Sequence, residues 1–361
     1  MSDPLGVMIV DDSAVYRRLL TLVMEDMPDV KVLGTAPTGP IAIKKIPALR
    51  PQVVFQDIEM PEMSGIEVLE SIKAEYPEIE VVLVSGANTR SADIVVKGLS
   101  KGAADFIAKP EGGSLEENKA QLKRELSLVL MGVRARSIHR EAAARRRHGL
   151  RPVSAQPMRT RPPGSLAKHV ALVGIGISTG GPQALAQLVP RFPADLRVPV
   201  VIVQHMPPLF TGSLARSLDE NSKVRVREAE DGKALEPGTV YIAPGGIHMA
   251  VARRMNGMKA EHHVALHDTP PMNSCKPSVD ILFESISATV GGRALVVVMT
   301  GMGQDGMEGV GSVKRVGGYC ITQSEESCVI YGMPQSVDAA QLSDESVALS
   351  GLADRIVTLV G

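Results

Sequence analysis

Residues 171–185 read ALVGIGISTGGPQAL. The run opens apolar, breaks into glycine and serine, and restarts as a helix, which describes a buried strand turning sharply into a helix. Gly176, Ser178 and Gly180 keep the G-x-S-x-G spacing of a nucleophile turn. Such a turn lifts a hydroxyl clear of the backbone, and flanking glycines remove side chains that would collide there. Pro182 suits the first turn of the following helix, where no amide hydrogen is needed. That helix N-terminus favours negative charge developing nearby. Two other readings compete. Gly174 and Gly176 supply half of a dinucleotide fingerprint, but Thr179 stands where its third glycine belongs. A glycine-rich turn without chemistry is the other.

Outward from this turn, strand-like and helix-like runs alternate over residues 167–361. HVALVGIGI (169–177), VPVVIVQ (198–204), KVRVREA (223–229), TVYIA (239–243), ALVVVMT (294–300) and GYCIT (318–322) read as strands. GPQALAQLVPRF, FTGSLARSLDE, SVDILFESISATV, MEGVGSVKRVG and a terminal GLADRIVTLV read as helices, and an Asn256–Gly257 turn marks a small hairpin over residues 247–267. This is a doubly wound, mostly parallel α/β domain, whose chemistry belongs at the carboxyl ends of its strands. A serine nucleophile needs a base and an orienting acid. His205 closes the strand VPVVIVQ, and Asp305 lies in TGMGQDG just after ALVVVMT, so both fall on the rim that carries Ser178. Gly301, Gly303 and Gly306 make a loop able to aim amides inward, with the Met302 amide as oxyanion donor. His248, His262, His263 and His267 read as surface histidines. Asp268 and Asp280 are the competing acids, Asp280 being better suited to packing or capping inside its helix.

Residues 4–125 show the same alternation. VMIV, VKVLGTA, VVFQ, VVLVS and DFIA are five strands with helical crossovers, which predicts a flavodoxin-like (βα)5 sheet. Asp11 and Asp12 follow the first strand, Asp57 the third, Ser85 ends the fourth, and Lys109 follows the fifth. Crowded carboxylates need a cation, and all-oxygen donors suit Mg²⁺. A carboxylate beside that metal can attack phosphorus and form an acyl phosphate. Lys109 and Ser85 are then placed to hold the phosphoryl group. In their order, VDDS, QDIEMPEMSG, VS and KP resemble a two-component receiver domain. The resemblance implies Asp57 as phospho-acceptor, Asp11, Asp12 and Asp57 as metal ligands, Lys109 and Ser85 as phosphate sensors, and Phe106 as the aromatic switch. Gln56 interrupts an apolar strand, facing either the site or a sheet edge.

Between the halves, residues 126–166 begin as a helix and end irregular. Nine arginines from Arg134 to Arg161 meet a single acid, Glu141, and four prolines stand from Pro152 to Pro163. This reads as a solvated tether rather than a binding patch. The whole chain has 39 basic and 40 acidic residues, so no global attraction to a polyanion is implied, and no DNA-reading motif follows the tether. Three cysteines make no disulfide framework, and no apolar run approaches a membrane span. The stretch MSDPLGVMIVDD puts acids where a signal peptide needs an apolar core, so a cytoplasmic location is expected.

Taken together, G-I-S-T-G-G, Q-H-M-P, I-A-P-G-G-x-H, K-P-S-V-D, T-G-M-G-x-D-G and Y-G-M-P, behind a receiver, resemble the chemotaxis response-regulator methylesterases of the CheB family. The resemblance implies Ser178 as nucleophile, His205 as base, Asp305 as orienter, and Thr179 and Met302 flanking the reaction centre. It implies hydrolysis of γ-glutamyl methyl esters on methyl-accepting chemoreceptors, with glutamine deamidation as a second activity. A chemotaxis histidine kinase is the implied phosphodonor. Mg²⁺ is expected for the receiver and no cofactor for hydrolysis. A monomer that meets the membrane only through its receptors, without nucleic acid, is the expected form. One departure is CKPSVD, where Cys275 and Lys276 stand in place of the family's usual His-Arg. The alternative from another class is a receiver-bearing binding or transcription protein with an inert second domain. The missing DNA-reading motif and the complete Ser/His/Asp set weigh against it.

Overall fold

The computed structural model describes residues 4–86, 88–110, 112–147, 170–256 and 259–361. They form two compact units, Met1–Ser137 and Ile138–Gly361. In the first, strands and helices alternate: β1 (Leu5–Val10), α1 (Ala14–Glu25), β2 (Val30–Ala36), α2 (Gly39–Leu49), β3 (Val53–Asp57), α3 (Gly65–Glu75), β4 (Glu80–Ser85), α4 (Thr89–Ser100), β5 (Asp105–Ala108) and α5 (Leu115–Arg147). The five strands are parallel in the order β2-β1-β3-β4-β5. Strands β1, β3 and β4 are buried along their whole length, which is why their sequences are mostly apolar. Helix starts are set locally. Ser13 caps α1, Ser64 and Glu67 form a capping box on α3, and Asn88 caps α4.

Helix α5 carries the chain well into the stretch expected to be a connector. Leu126, Val129, Leu130 and Val133 are buried in the core of the first unit, and Arg134 pairs with Asp29 at 3.0 Å. Residues 126–137 therefore belong to the first unit. Most of the remaining connector, residues 148–166, lies outside the described residues.

The second unit contains β6 (Leu172–Ile177), α6 (Gly181–Leu188), β7 (Val200–Gln204), α7 (Phe210–Glu220), β8 (Arg225–Glu228) and β9 (Thr239–Ile242). A hairpin of β10 (His248–Asn256) and β11 (Lys259–His267) follows; Gly257 of the expected turn is outside the described residues. Then come α8 (Val279–Val290), β12 (Ala294–Val298), α9 (Met307–Arg315), β13 (Tyr319–Gln323), α10 (Met333–Ala339), β14 (Glu345–Val347) and α11 (Leu349–Val360). Seven strands make one parallel sheet in the order β14-β13-β12-β6-β7-β9-β8. Strand order reverses at β6, since the chain moves to β7 on one side and returns later to β12 on the other. A doubly wound sheet opens its crevice at such a reversal, beyond the carboxyl ends of the strands. Ser178 follows β6 there.

Candidate functional site

On the receiver rim, Lys109 reaches across the strand ends. Its Nζ lies 2.8 Å from Asp57 Oδ2 and 2.9 Å from Asp11 Oδ2. Asp11 Oδ1 accepts the Ser13 amide at 2.8 Å, and Asp57 Oδ1 accepts the Glu59 amide at 3.3 Å. Burial pushes the Asp57 carboxyl up to about 6, against the hydrogen bond and charge of Lys109, which pull it down. Asp11 and Asp57 are buried while Asp12 is exposed, and one oxygen from each lies within 4.8 Å of the others. Asp11 Oδ2 is buried and ion-paired but accepts no hydrogen bond, so the donor set is open to a hard cation. Ser85 is buried at the end of β4, with its hydroxyl donating to the Gly86 carbonyl at 2.9 Å. Phe106 is half-buried on β5, its amide donating to Asp105 Oδ1 at 2.9 Å.

Two residues here were not legible beforehand. Tyr16 puts its ring 4.8 Å from Lys109 Nζ, a cation–π contact that no local pattern announces. Gln56 is fully buried on the central strand β3, which rules out the sheet edge; its Nε2 donates to the Asp57 carbonyl at 2.7 Å.

On the second rim, Ser178 sits between the two strands that flank β6. Its amide donates to the Thr300 carbonyl at 3.0 Å, after β12, and the neighbouring Ile177 carbonyl accepts the His205 amide at 3.1 Å, after β7. Gln204 ties the two ends together: its buried Nε2 donates to the carbonyls of Ser178 at 3.0 Å and His205 at 3.1 Å. The glycines have specific reasons to be glycine. A Cβ on Gly181 would lie 1.7 Å from Gln204 Oε1, and one on Gly301 would lie 2.8 Å from Ser178 Cβ. The loop bearing Met302 is laced to the segment before α10, with Gly301 N bonded to Ile330 O at 3.0 Å and Met333 N to Gly301 O at 2.9 Å. The Thr179 carbonyl accepts the Thr300 hydroxyl at 3.0 Å.

His205 Nε2 lies 2.8 Å from Asp305 Oδ2. Asp305 is buried at the N-terminus of α8, where it accepts Ser278 Oγ at 2.9 Å and the amides of Val279 at 2.7 Å and Asp280 at 3.0 Å. Burial alone would raise its pKa; the hydrogen bond and charge of His205, with those two amides, hold it down at about 2. The partner responds in kind. Burial works to lower the His205 pKa, but Asp305 and Cys275 push it up to about 9. The raised histidine and the depressed aspartate are two sides of one attraction, and His205 Nδ1 is left facing away from Asp305.

Asp280, set aside above as a capping residue, caps a helix other than its own. Its Oδ1 accepts the amides of Gly306 at 2.9 Å and Gly309 at 2.8 Å, at the start of α9. Asp280 thus caps the helix that follows Asp305, and Asp305 caps the helix that carries Asp280. Burial, with Asp305 close by, pushes the Asp280 carboxyl up to about 7. The surface reading of His248 is corrected. It is fully buried, it stacks on His267, and its Nδ1 accepts the Ser278 amide at 3.2 Å, which fixes the start of α8. Cys275 approaches the site from the loop before α8, its Sγ 3.8 Å from His205 Nδ1.

A receiver sheet followed by a parallel α/β domain with serine, histidine and aspartate at one switch point is the organisation of a response regulator with an enzyme-like output. The comparisons agree. The family model for CheB methylesterase matches residues 173–356, and that for the response regulator receiver domain matches residues 7–118. A protein-glutamate methylesterase/protein-glutamine glutaminase of Desulfotalea psychrophila is 41% identical over 360 residues, covering 99% of this chain and 98% of its own. A protein of the same name from Trichodesmium erythraeum is 38% identical, covering 98% of this chain and 99% of its own. The crystal structure of the Thermotoga maritima CheB methylesterase catalytic domain is 38% identical with a TM-score of 0.51, covering 53% of this chain and 98% of that one. The chain belongs to the CheB methylesterase family. Among the described residues, no helix is long and apolar enough to cross a membrane.

Proposed function

We propose that this chain is a phosphorylation-controlled protein-glutamate methylesterase and protein-glutamine glutaminase acting on chemoreceptors, with Ser178, His205 and Asp305 as its catalytic residues. The observation that carries the proposal is the 2.8 Å His205–Asp305 pair on a strand end beside Ser178. Nε2 is committed to Asp305, so Nδ1 is the nitrogen that takes the Ser178 proton. The Ser178 Oγ then attacks the γ-carbonyl carbon of a glutamyl methyl ester. The developing oxyanion is received by the Met302 amide and the N-terminal end of α6, beside Thr179. His205 returns its proton to the leaving methoxide, releasing methanol. Water, activated by the same imidazole, opens the acyl-serine and frees glutamate. A glutamine side chain follows the same course with ammonia as leaving group.

The receiver controls this output through Asp57, which accepts a phosphoryl group from a chemotaxis histidine kinase. Asp11, Asp12 and Asp57 would hold Mg²⁺, which supplies charge neutralisation for phosphoryl transfer. Lys109 and Ser85 then pair with the phosphoryl oxygens, and Phe106 on β5 reports the change. The test is methanol release from methyl-labelled receptor membranes. Ser178→Ala is expected to lose ~10⁴-fold or more in turnover while keeping its circular dichroism spectrum. Near-normal release by that variant would end the serine mechanism.

A further inference from the structure

The hydrolytic scheme leaves Cys275 unused, yet the structure holds this thiol firmly against the base. The loop before α8 is pinched by reciprocal bonds, Cys275 N to Met272 O at 2.8 Å and Met272 N to Cys275 O at 3.2 Å. Asn273 and Ser274 take left-handed backbone values, φ 50° and 63°, to make that tight turn. Lys276 is tied to Asp268, and Ser278 is bonded to Asp305. The turn thus aims Sγ at His205 Nδ1, 3.8 Å away, while Nε2 of the same ring is bonded to Asp305 at 2.8 Å. Thiol, imidazole and carboxylate offer atoms that all lie within 4.8 Å of one another. This is a second acid–base line through one imidazole, ending on sulfur instead of oxygen. Cys275 is half-buried, whereas Cys320 and Cys328 are buried, and burial pushes both of their thiols up.

We propose that Cys275 is a modification site: the His205–Asp305 pair activates its thiol toward peroxides and alkylating electrophiles, and modification there switches the hydrolase off. The inference rests on the proposed reading of His205 as the base. In the peroxide reaction the Sγ–H proton passes to Nδ1 of His205 in its neutral form, whose Nε2 proton stays on Asp305. The thiolate attacks one peroxide oxygen, forming an S–O bond and breaking the O–O bond. Sulfur is oxidised by two electrons to a sulfenic acid, and the departing hydroxide takes the proton from His205 and leaves as water. The new hydroxyl fills the space at Nδ1, where the serine proton must arrive. A thiol reductant reverses the change: the first thiol displaces water to give a mixed disulfide, and a second returns Cys275 to the free thiol.

Labelling of the full-length chain tests this without any receptor substrate. Peptide mass spectrometry would follow iodoacetamide uptake at each cysteine in the folded protein. Cys275 is expected to react at least ~10-fold faster than in His205→Gln, with Cys320 and Cys328 left unlabelled. Asp305→Asn provides a second variant should His205→Gln fail to fold, as judged by near-ultraviolet circular dichroism. After hydrogen peroxide, dimedone is expected to mark Cys275, methanol release to fall, and dithiothreitol to restore it. The residual activity of Cys275→Ala is expected to ignore peroxide. Equal alkylation rates in wild type and both folded variants would overturn the proposal, as would peroxide inactivation of Cys275→Ala at the wild-type rate. Fast labelling without methanol release from receptors would count against the esterase reading alone.

Discussion

The two nitrogens of His205 face different partners, and in the proposed mechanism the charge on the ring sets the pH at which it acts. With its pKa at about 9, only a small fraction of His205 is the neutral base at pH 7. That fraction grows about tenfold per pH unit until the pKa is reached. The value of kcat/KM for methyl-ester hydrolysis is therefore expected to climb from pH 6 and level off near pH 9, where a profile flat over that range would contradict the ion pair. Stability moves the other way. A histidine raised on folding contributes fully below its unfolded value, about 6.5, and loses that contribution as pH rises through 9. Asp305, depressed to about 2, contributes above about 3.9 and loses it as pH falls through 2. The pair is thus most stabilising between roughly pH 4 and 6.5, below the pH of highest activity, and thermal melts across pH would reveal the offset. At this scale Ser178, His205 and Asp305 were legible because each follows an apolar run that announces a strand end. Gln204, Cys275 and His248 were not: their partners sit 26, 70 and 30 residues away in the chain, and only the folded sheet brings them together.

Among the elements, α8 and α9 depend on each other through their crossed carboxylates. Asp280→Ala leaves the amides of Gly306 and Gly309 without acceptors, which is expected to cost about 2–3 kcal/mol in chemical denaturation and to slow methanol release by loosening the Asp305 loop. Asp280→Asn keeps one acceptor oxygen and is expected to cost less. Two glycine changes make a sharp contrast. Gly181→Ala forces a methyl against the clamped Gln204 amide and is expected to lower both stability and activity. Gly311→Ala, mid-helix with its nearest neighbour 3.8 Å away, is expected to add about 0.5–1 kcal/mol. Most elements were legible from hydrophobic period, but β14 and α10 were not. The strand has three residues, one of them the buried Glu345 bonded to Arg355, and the helix has seven, too few in either case to establish a period. Similarly, the arginines after residue 133 suggested a tether. The buried stripe of Leu126, Val129, Leu130 and Val133, and the pairing of Arg134 with Asp29, fold only the start of the expected connector, up to Arg134, into the first unit.

For the molecule as a whole, two parallel sheets each gather their candidate site at the carboxyl ends of their strands. The receiver rim has no evident task of its own apart from Asp57, whose buried carboxylate is held by Lys109. Asp57→Asn is expected to leave unstimulated methanol release near the wild-type level and to abolish stimulation by a small-molecule phosphodonor with Mg²⁺. Phosphate incorporation by that variant at the wild-type level would remove Asp57 as acceptor. Leu130→Ala should report on the receiver alone, lowering its stability by about 2–4 kcal/mol through the cavity left under α5.

The crossed caps leave a trace that needs no substrate, kinase or receptor. First-turn amides of a helix lack intrahelical acceptors and ordinarily trade their protons with water early. Here the amides of Val279 and Asp280 end on Asp305, and those of Gly306 and Gly309 end on Asp280, all of them buried. In deuterium oxide these four should be among the last to exchange in the domain, opening together as one unit. The order in which the protein takes up deuterium would then reveal the helix starts beneath the proposed site as the most slowly yielding part of its frame.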